Sequence, residues 1–63
     1  MLVEVVPSAL DGERVDRIVA FILDVSRSVA ADLVERGTVL VDGVVETSGK
    51  LRLSEGQIGR AHV

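Results

Sequence analysis

Thr38-Val39-Leu40-Val41-Asp42-Gly43-Val44-Val45-Glu46 is the stretch that decides the fold. Two short β-branched runs flank Asp42-Gly43, a pair that readily takes the positive φ angles of a tight type I′ turn. The segment predicts a hairpin, with Val39 to Val41 paired against Val44 to Glu46. Upstream the apolar period changes. Val15, Ile18, Val19 and Ile22 fall at i, i+3, i+4 and i+7, which predicts a helix over Val15 to Leu23. Asp11 or Gly12 is its expected cap, and Glu13, Arg14, Asp16 and Arg17 are expected on its polar face. A second helix is predicted over Ser28 to Arg36, with Ser26 as N-cap and Gly37 as the left-handed residue that ends it. Its buried stripe is expected to be Val29, Ala30, Leu33 and Val34. A linker as short as Asp24-Val25 makes the two helices an αα-hairpin. Leu2 to Val6 reads as a strand stopped by Pro7, Leu51-Arg52-Leu53 as another short strand, and Ser54-Glu55-Gly56 as a turn. This order predicts an α+β fold, an αα-hairpin packed on a small, mainly antiparallel β-sheet.

The 63 residues leave room for one domain, with a core built from Val, Leu and Ile because Phe21 is the sole aromatic. There is no cysteine, which excludes a disulfide scaffold or a thiolate metal site, and His62 is the only histidine. Neither a metal nor an organic cofactor is expected. Met1 to Pro7 carries no basic leader and no long apolar run, so neither a signal peptide nor a membrane span is expected. A cytoplasmic monomer without a membrane partner is the expectation. Seven Lys and Arg stand against ten Asp and Glu, for a net charge of −3, which argues against a generic nucleic-acid-binding tail. Any RNA affinity has to come from local clustering. None of the six glycines belongs to a loop of phosphate-binding spacing.

Three motifs occur in succession: Asp11-Gly12-Glu13-Arg14-Val15-Asp16-Arg17, Ser26-Arg27-Ser28, and Gly37-Thr38-Val39-Leu40-Val41-Asp42-Gly43. Together they resemble the S-four type RNA-binding domain, with its Arg-aliphatic-Asp start to helix one, Ser-Arg-Ser start to helix two, and Gly-x-Val-x-Val-Asn/Asp-Gly strand and turn. The lead-in Val5-Val6-Pro7-Ser8-Ala9-Leu10-Asp11-Gly12 is similar to the opening of large-subunit ribosomal RNA pseudouridine synthases of the RluA/RluD type. The resemblance runs to about Gln57. It implies the S-four (alpha-L) RNA-binding fold and a module that helps dock such a synthase on structured ribosomal RNA. The chain itself is then no enzyme, and the isomerase activity belongs to a catalytic domain outside it. Asp32, Glu35 and Thr38 stand where family members often carry further Lys or Arg, so the expected basic surface is narrower here.

Ile58-Gly59-Arg60-Ala61-His62-Val63 lacks the alternation of a strand that would complete the sheet. It can be spelled ATC GGA AGA GCA CAC GTC, the reading of a common sequencing adapter. The expectation is an RNA-binding domain over 1–57, a non-native tail over 58–63, and a natural chain that continues. His62 is expected to carry no chemistry. A sheet lacking its edge strand implies marginal stability.

Arg14, Arg17, Arg27 and Arg36 are the candidates to present guanidinium forks to phosphates, with Lys50 and Arg52 extending the track. Ser26 and Ser28 add hydroxyls, and Arg27 opens a helix whose free amides also favour an anion. By residue type alone these are more readily solvated surface charges, with Asp32 and Arg36 as an i, i+4 pair. The resemblance reverses that weighting for Arg14 and Arg27, and less firmly for Arg36 and Lys50. Arg14-Val15-Asp16 superficially matches the Arg-Leu-Asp context of the synthases' catalytic aspartate. It opens a helix here with no second acid or base beside it, so Asp16 is expected to be structural and to pair with a nearby arginine. Two rival readings stay open: a stand-alone RNA-binding protein of the same fold, and a small protein-interaction domain that uses the helix pair. The acidic balance and the lack of stacking aromatics favour the latter.

Overall fold

Asp42 and Gly43 adopt φ angles of 51° and 83°, and the hairpin closes around them as the turn chemistry dictates. In the computed structural model, which describes residues 2–61, β1 (Leu2–Val5) is followed by a short 3-10 turn (Ser8–Leu10) and by α1 (Val15–Leu23) and α2 (Arg27–Glu35). Next come β2 (Val39–Val41), β3 (Val44–Glu46) and β4 (Ile58–Ala61). The four strands form one antiparallel sheet in the order β1-β4-β2-β3. This is the expected α+β class, with the helix pair covering one face of the sheet.

The helix boundaries follow local chemistry. The Ser26 hydroxyl accepts from the Val29 amide at 3.2 Å, satisfying one of the first-turn donors of α2. At the other end Gly37, at φ 76°, lets the Thr38 amide reach the Leu33 carbonyl and its own amide reach Val34, a Schellman closure. Asp24 ends α1 in the left-handed region, and Asp24 to Ser26 link the helices.

The core joins Val15, Ile18 and Val19 of α1, Ala30 and Val34 of α2, Val39 and Val41 of β2, and Leu10 and Leu53 from the connections. Val29, expected in the buried stripe of α2, is about half exposed. With Ala30 and Val34 carrying the helix contact, the stripe is narrow and Val29 falls at its margin.

Three other expectations are corrected. Leu51-Arg52-Leu53 is not a strand of the sheet; it makes a single bridge, Arg14 to Arg52, and runs beside the start of α1. Its carbonyls are used there, Leu51 accepting from the Val15 amide and Leu53 from the Gly12 amide, both at 2.7 Å. Backbone thus does the capping expected of Asp11 or Gly12: the N-cap position is Arg14, with no side-chain cap bond. Asp11 instead accepts from the Glu55 amide.

The third correction concerns Ile58 to Ala61, expected to form no strand. This segment is β4, hydrogen-bonded to β1 on one side and β2 on the other, so the sheet does not lack that strand. A central strand is held by main-chain bonds on both edges, which any non-proline residues supply. Arg60 and Ile58 point away from the helices, and the small Gly59 and Ala61 face them, opposite Val41 and Val39. His62 and Val63 lie outside the described residues.

Small residues at that position leave space. A cavity of about 40 Å³ lies between α1 and the sheet, lined by Leu2, Ile18, Ile22, Val41 and Ala61 among others. Ala61→Val is therefore expected to stabilise the fold by about 1 kcal/mol, since added methyl groups gain burial without displacing neighbours. A thermal melt lowered by this substitution would mean that the space is not free for packing.

The sheet's far face is bare of helix, and Val3, Val5, Val45 and Ile58 are each roughly half exposed there. None of the described helices is long and apolar enough to cross a membrane.

Candidate nucleic-acid interface

Asp16 was expected on the polar face of α1, yet it is 4% exposed and the one buried charged residue of the described chain. It sits at the first turn of α1, where Gly49 closes over it. A Cβ added to Gly49 would come within 3.3 Å of the Asp16 Cβ, a tight contact that would require Asp16 to give by a few tenths of an ångström. The carboxylate is satisfied from two helices. Arg14 Nη2 donates to Oδ2 at 2.8 Å, and Arg27 Nη2 from the start of α2 donates to Oδ1 at 3.3 Å.

Burial alone would raise the Asp16 pKa. The Arg14 hydrogen bond and charge, the Arg17 backbone amide and the Arg27 charge together outweigh it and hold the carboxyl below its ordinary 3.8. Both arginines remain partly exposed, at 38% for the Arg14 side chain and 56% for that of Arg27, so each keeps donors facing solvent. Arg14 Nε is buried without a partner among the described residues.

The other candidates distribute unevenly around this cluster. Lys50 is exposed and directly follows Gly49, whose carbonyl accepts from the Asp16 amide, so its backbone borders the same corner. Ser26 and Ser28 stand beside Arg27 with their hydroxyls 3.2 Å apart. Arg52 is tied to the Gly12 carbonyl at 2.8 Å, at the edge of the site. Arg17 of α1 pairs with Glu13, just before the helix, at 2.7 Å. Arg36 pairs with Asp32 at 2.9 Å, at the far end of α2 and about 13 Å along the helix from Arg27. The structure therefore brings Arg14, Arg27, Ser26, Ser28 and Lys50 to one corner and leaves Arg36 outside it.

This corner can bind an anion. It combines two forks fixed from one side, two hydroxyls and the first-turn amides of α2 other than that of Val29, which Ser26 caps, and the helix dipole there also favours negative charge. Among the described residues no group of three His, Cys, Asp or Glu could hold a metal ion.

A second carboxylate, missed in the sequence, ties the hairpin to β4. Asp42 Oδ1 accepts from the Ile58 amide at 2.9 Å, and Oδ2 accepts from Gln57 Nε2 at 3.1 Å. These bonds also hold its pKa below 3.8. For both aspartates the unfolded chain takes up a proton before the folded one as pH falls. Their contribution is complete above pH 3.8 and is lost as pH drops through the lower folded values. The melting temperature is accordingly expected to fall below about pH 4. Asp16→Asn should flatten that fall, and an equally steep fall in the variant would assign the acid sensitivity elsewhere.

The chain matches no protein-family model and no curated protein sequence.

Proposed function

We propose that the chain is an RNA-binding module of the S-four type, which helps dock a ribosomal RNA pseudouridine synthase on structured RNA. The observation that carries this reading is the pairing of Arg14 and Arg27 across the buried Asp16, beside the Ser26-Arg27-Ser28 start of α2. Two of the three motifs behind the resemblance meet at this corner. The start of helix one supplies Arg14 and Asp16 and the start of helix two supplies Arg27, while the Gly37 turn closes the other end of helix two and leads into the hairpin. A fork pair at the N-terminal ends of two helices suits phosphate and shape recognition, which is how folded RNA is mostly read. The uridine chemistry then belongs to another domain.

Binding to a stem-loop fragment of large-subunit ribosomal RNA tests the proposal. Arg14→Ala and Arg27→Ala are expected to weaken binding, whereas Arg36→Ala, the same change of charge at the far end of α2, leaves it nearly intact. Equal effects at all three positions would reduce the site to diffuse charge. A second reading, a protein-interaction domain, is favoured by the bare far face of the sheet and by Phe21, 72% exposed on α1. Unchanged RNA binding in both arginine variants would promote it.

A further inference from the structure

We infer that Asp16 is a positioning residue of the RNA-binding face: its buried carboxylate holds the Arg14 and Arg27 guanidinium groups side by side, so that both meet the RNA backbone together. This rests on the RNA-binding reading above. The two carboxylate oxygens are divided between the arginines, Oδ2 to Arg14 and Oδ1 to Arg27. Each bond occupies one Nη and leaves the exposed part of that fork for a ligand, Arg14 Nε excepted because it is buried. Arg27 lies eleven residues beyond Asp16 and on a different helix. Helical periodicity alone does not bring it to Arg14; the shared carboxylate does. Gly49 packs directly against the carboxylate.

Positioning and simple charge predict opposite results. Asp16 cancels part of the positive charge at the site, so its neutralisation raises the local charge. If charge alone mattered, Asp16→Asn would bind RNA more tightly and with a steeper salt dependence. If the carboxylate positions the forks, Asp16→Asn binds more weakly, because two long side chains must then be ordered by the RNA itself.

The test uses the full 63-residue chain, a fluorescein-labelled ribosomal RNA stem-loop and anisotropy titrations, with thermal melts to set a temperature at which every variant is folded. Asp16→Asn is expected to weaken binding roughly tenfold. In the Arg14→Ala/Arg27→Ala background the same change is expected to alter affinity less than about twofold, because Asp16 acts through those two residues. Unchanged or tighter binding by Asp16→Asn overturns the inference, as does an equal loss in the double-arginine background. Wild-type protein that fails to bind RNA overturns the functional reading and this inference with it. Arginine variants that weaken binding while Asp16→Asn does not overturn the inference alone. Should Asp16→Asn not fold, nitrogen NMR of the wild-type guanidinium groups decides. Slowly rotating Nη signals for Arg14 and Arg27 that shift together on adding RNA support positioning, and freely averaged signals at both contradict it.

Discussion

Asp16→Ala is expected to remove about 2 to 3 kcal/mol of stability, more than any other substitution of a charged side chain in this fold. The carboxylate is nearly inaccessible to solvent and bonds to two arginines from two helices. Its removal leaves Arg14, whose Nε is already buried without a partner, facing an uncompensated pocket. Full burial would make the loss larger; the partial exposure of both guanidinium groups lets water recover some of it. Asp32→Ala is the control. It breaks a bond of nearly the same length to Arg36, at 2.9 Å, but both partners there are more than half exposed. Its cost is expected to stay below about 0.5 kcal/mol. Urea unfolding of the two variants measures the contrast. Equal midpoints would mean that the Asp16 bridge is no stronger than a surface pair. In a domain of this size a loss of 2 to 3 kcal/mol is expected to bring the chain near its folding limit at 37 °C, since small cores supply only about 3 to 5 kcal/mol.

The second large effect falls on RNA. Each of Arg14 and Arg27 offers charge-assisted hydrogen bonds of roughly 1 to 3 kcal/mol to phosphate, so either alanine variant should lose about tenfold or more in affinity. Because both forks lean on one carboxylate, the double variant is expected to lose less than the product of the single losses. Arg14→Ala leaves the buried Asp16 carboxylate with only the longer Arg27 bond and is expected to cost stability too, more than Arg27→Ala does, so affinities are compared at a temperature at which each variant is folded. The loss should also be similar across RNA sequences, as expected for contacts to the backbone rather than to bases.

Much of the frame is legible in the chain because it is locally encoded. The Asp42-Gly43 turn, the Ser26 cap, the Gly37 closure and the apolar stripe of α1 each depend on residues within a few positions of one another. What local reading misses depends on distant partners. Leu51 to Leu53 has a strand's composition, but the open amides at the start of α1 recruit its carbonyls. Ile58 to Ala61 has no strand pattern, yet a slot between β1 and β2 needs only main-chain donors and acceptors. The site divides in the same way. Arg14 and Arg27 are legible as candidates, while the burial of Asp16 is not, because the covering Gly49 and the bridging Arg27 come from other segments. Arg36 reads as part of the same track until the length of α2 separates it from the cluster.

The proposed function requires that Arg14 and Arg27 meet RNA phosphates at this corner. The most direct measurement is the slope of log affinity against log salt for a ribosomal RNA stem-loop, compared between the wild-type chain and each single arginine variant. Every phosphate neutralised by an arginine releases counterions, so loss of one contact lowers the slope by up to about one unit on duplex RNA. Weaker binding and a flatter slope are expected for both Arg14→Ala and Arg27→Ala, with Arg36→Ala close to wild type. Affinity and slope unchanged in both Arg14→Ala and Arg27→Ala would contradict the proposed function.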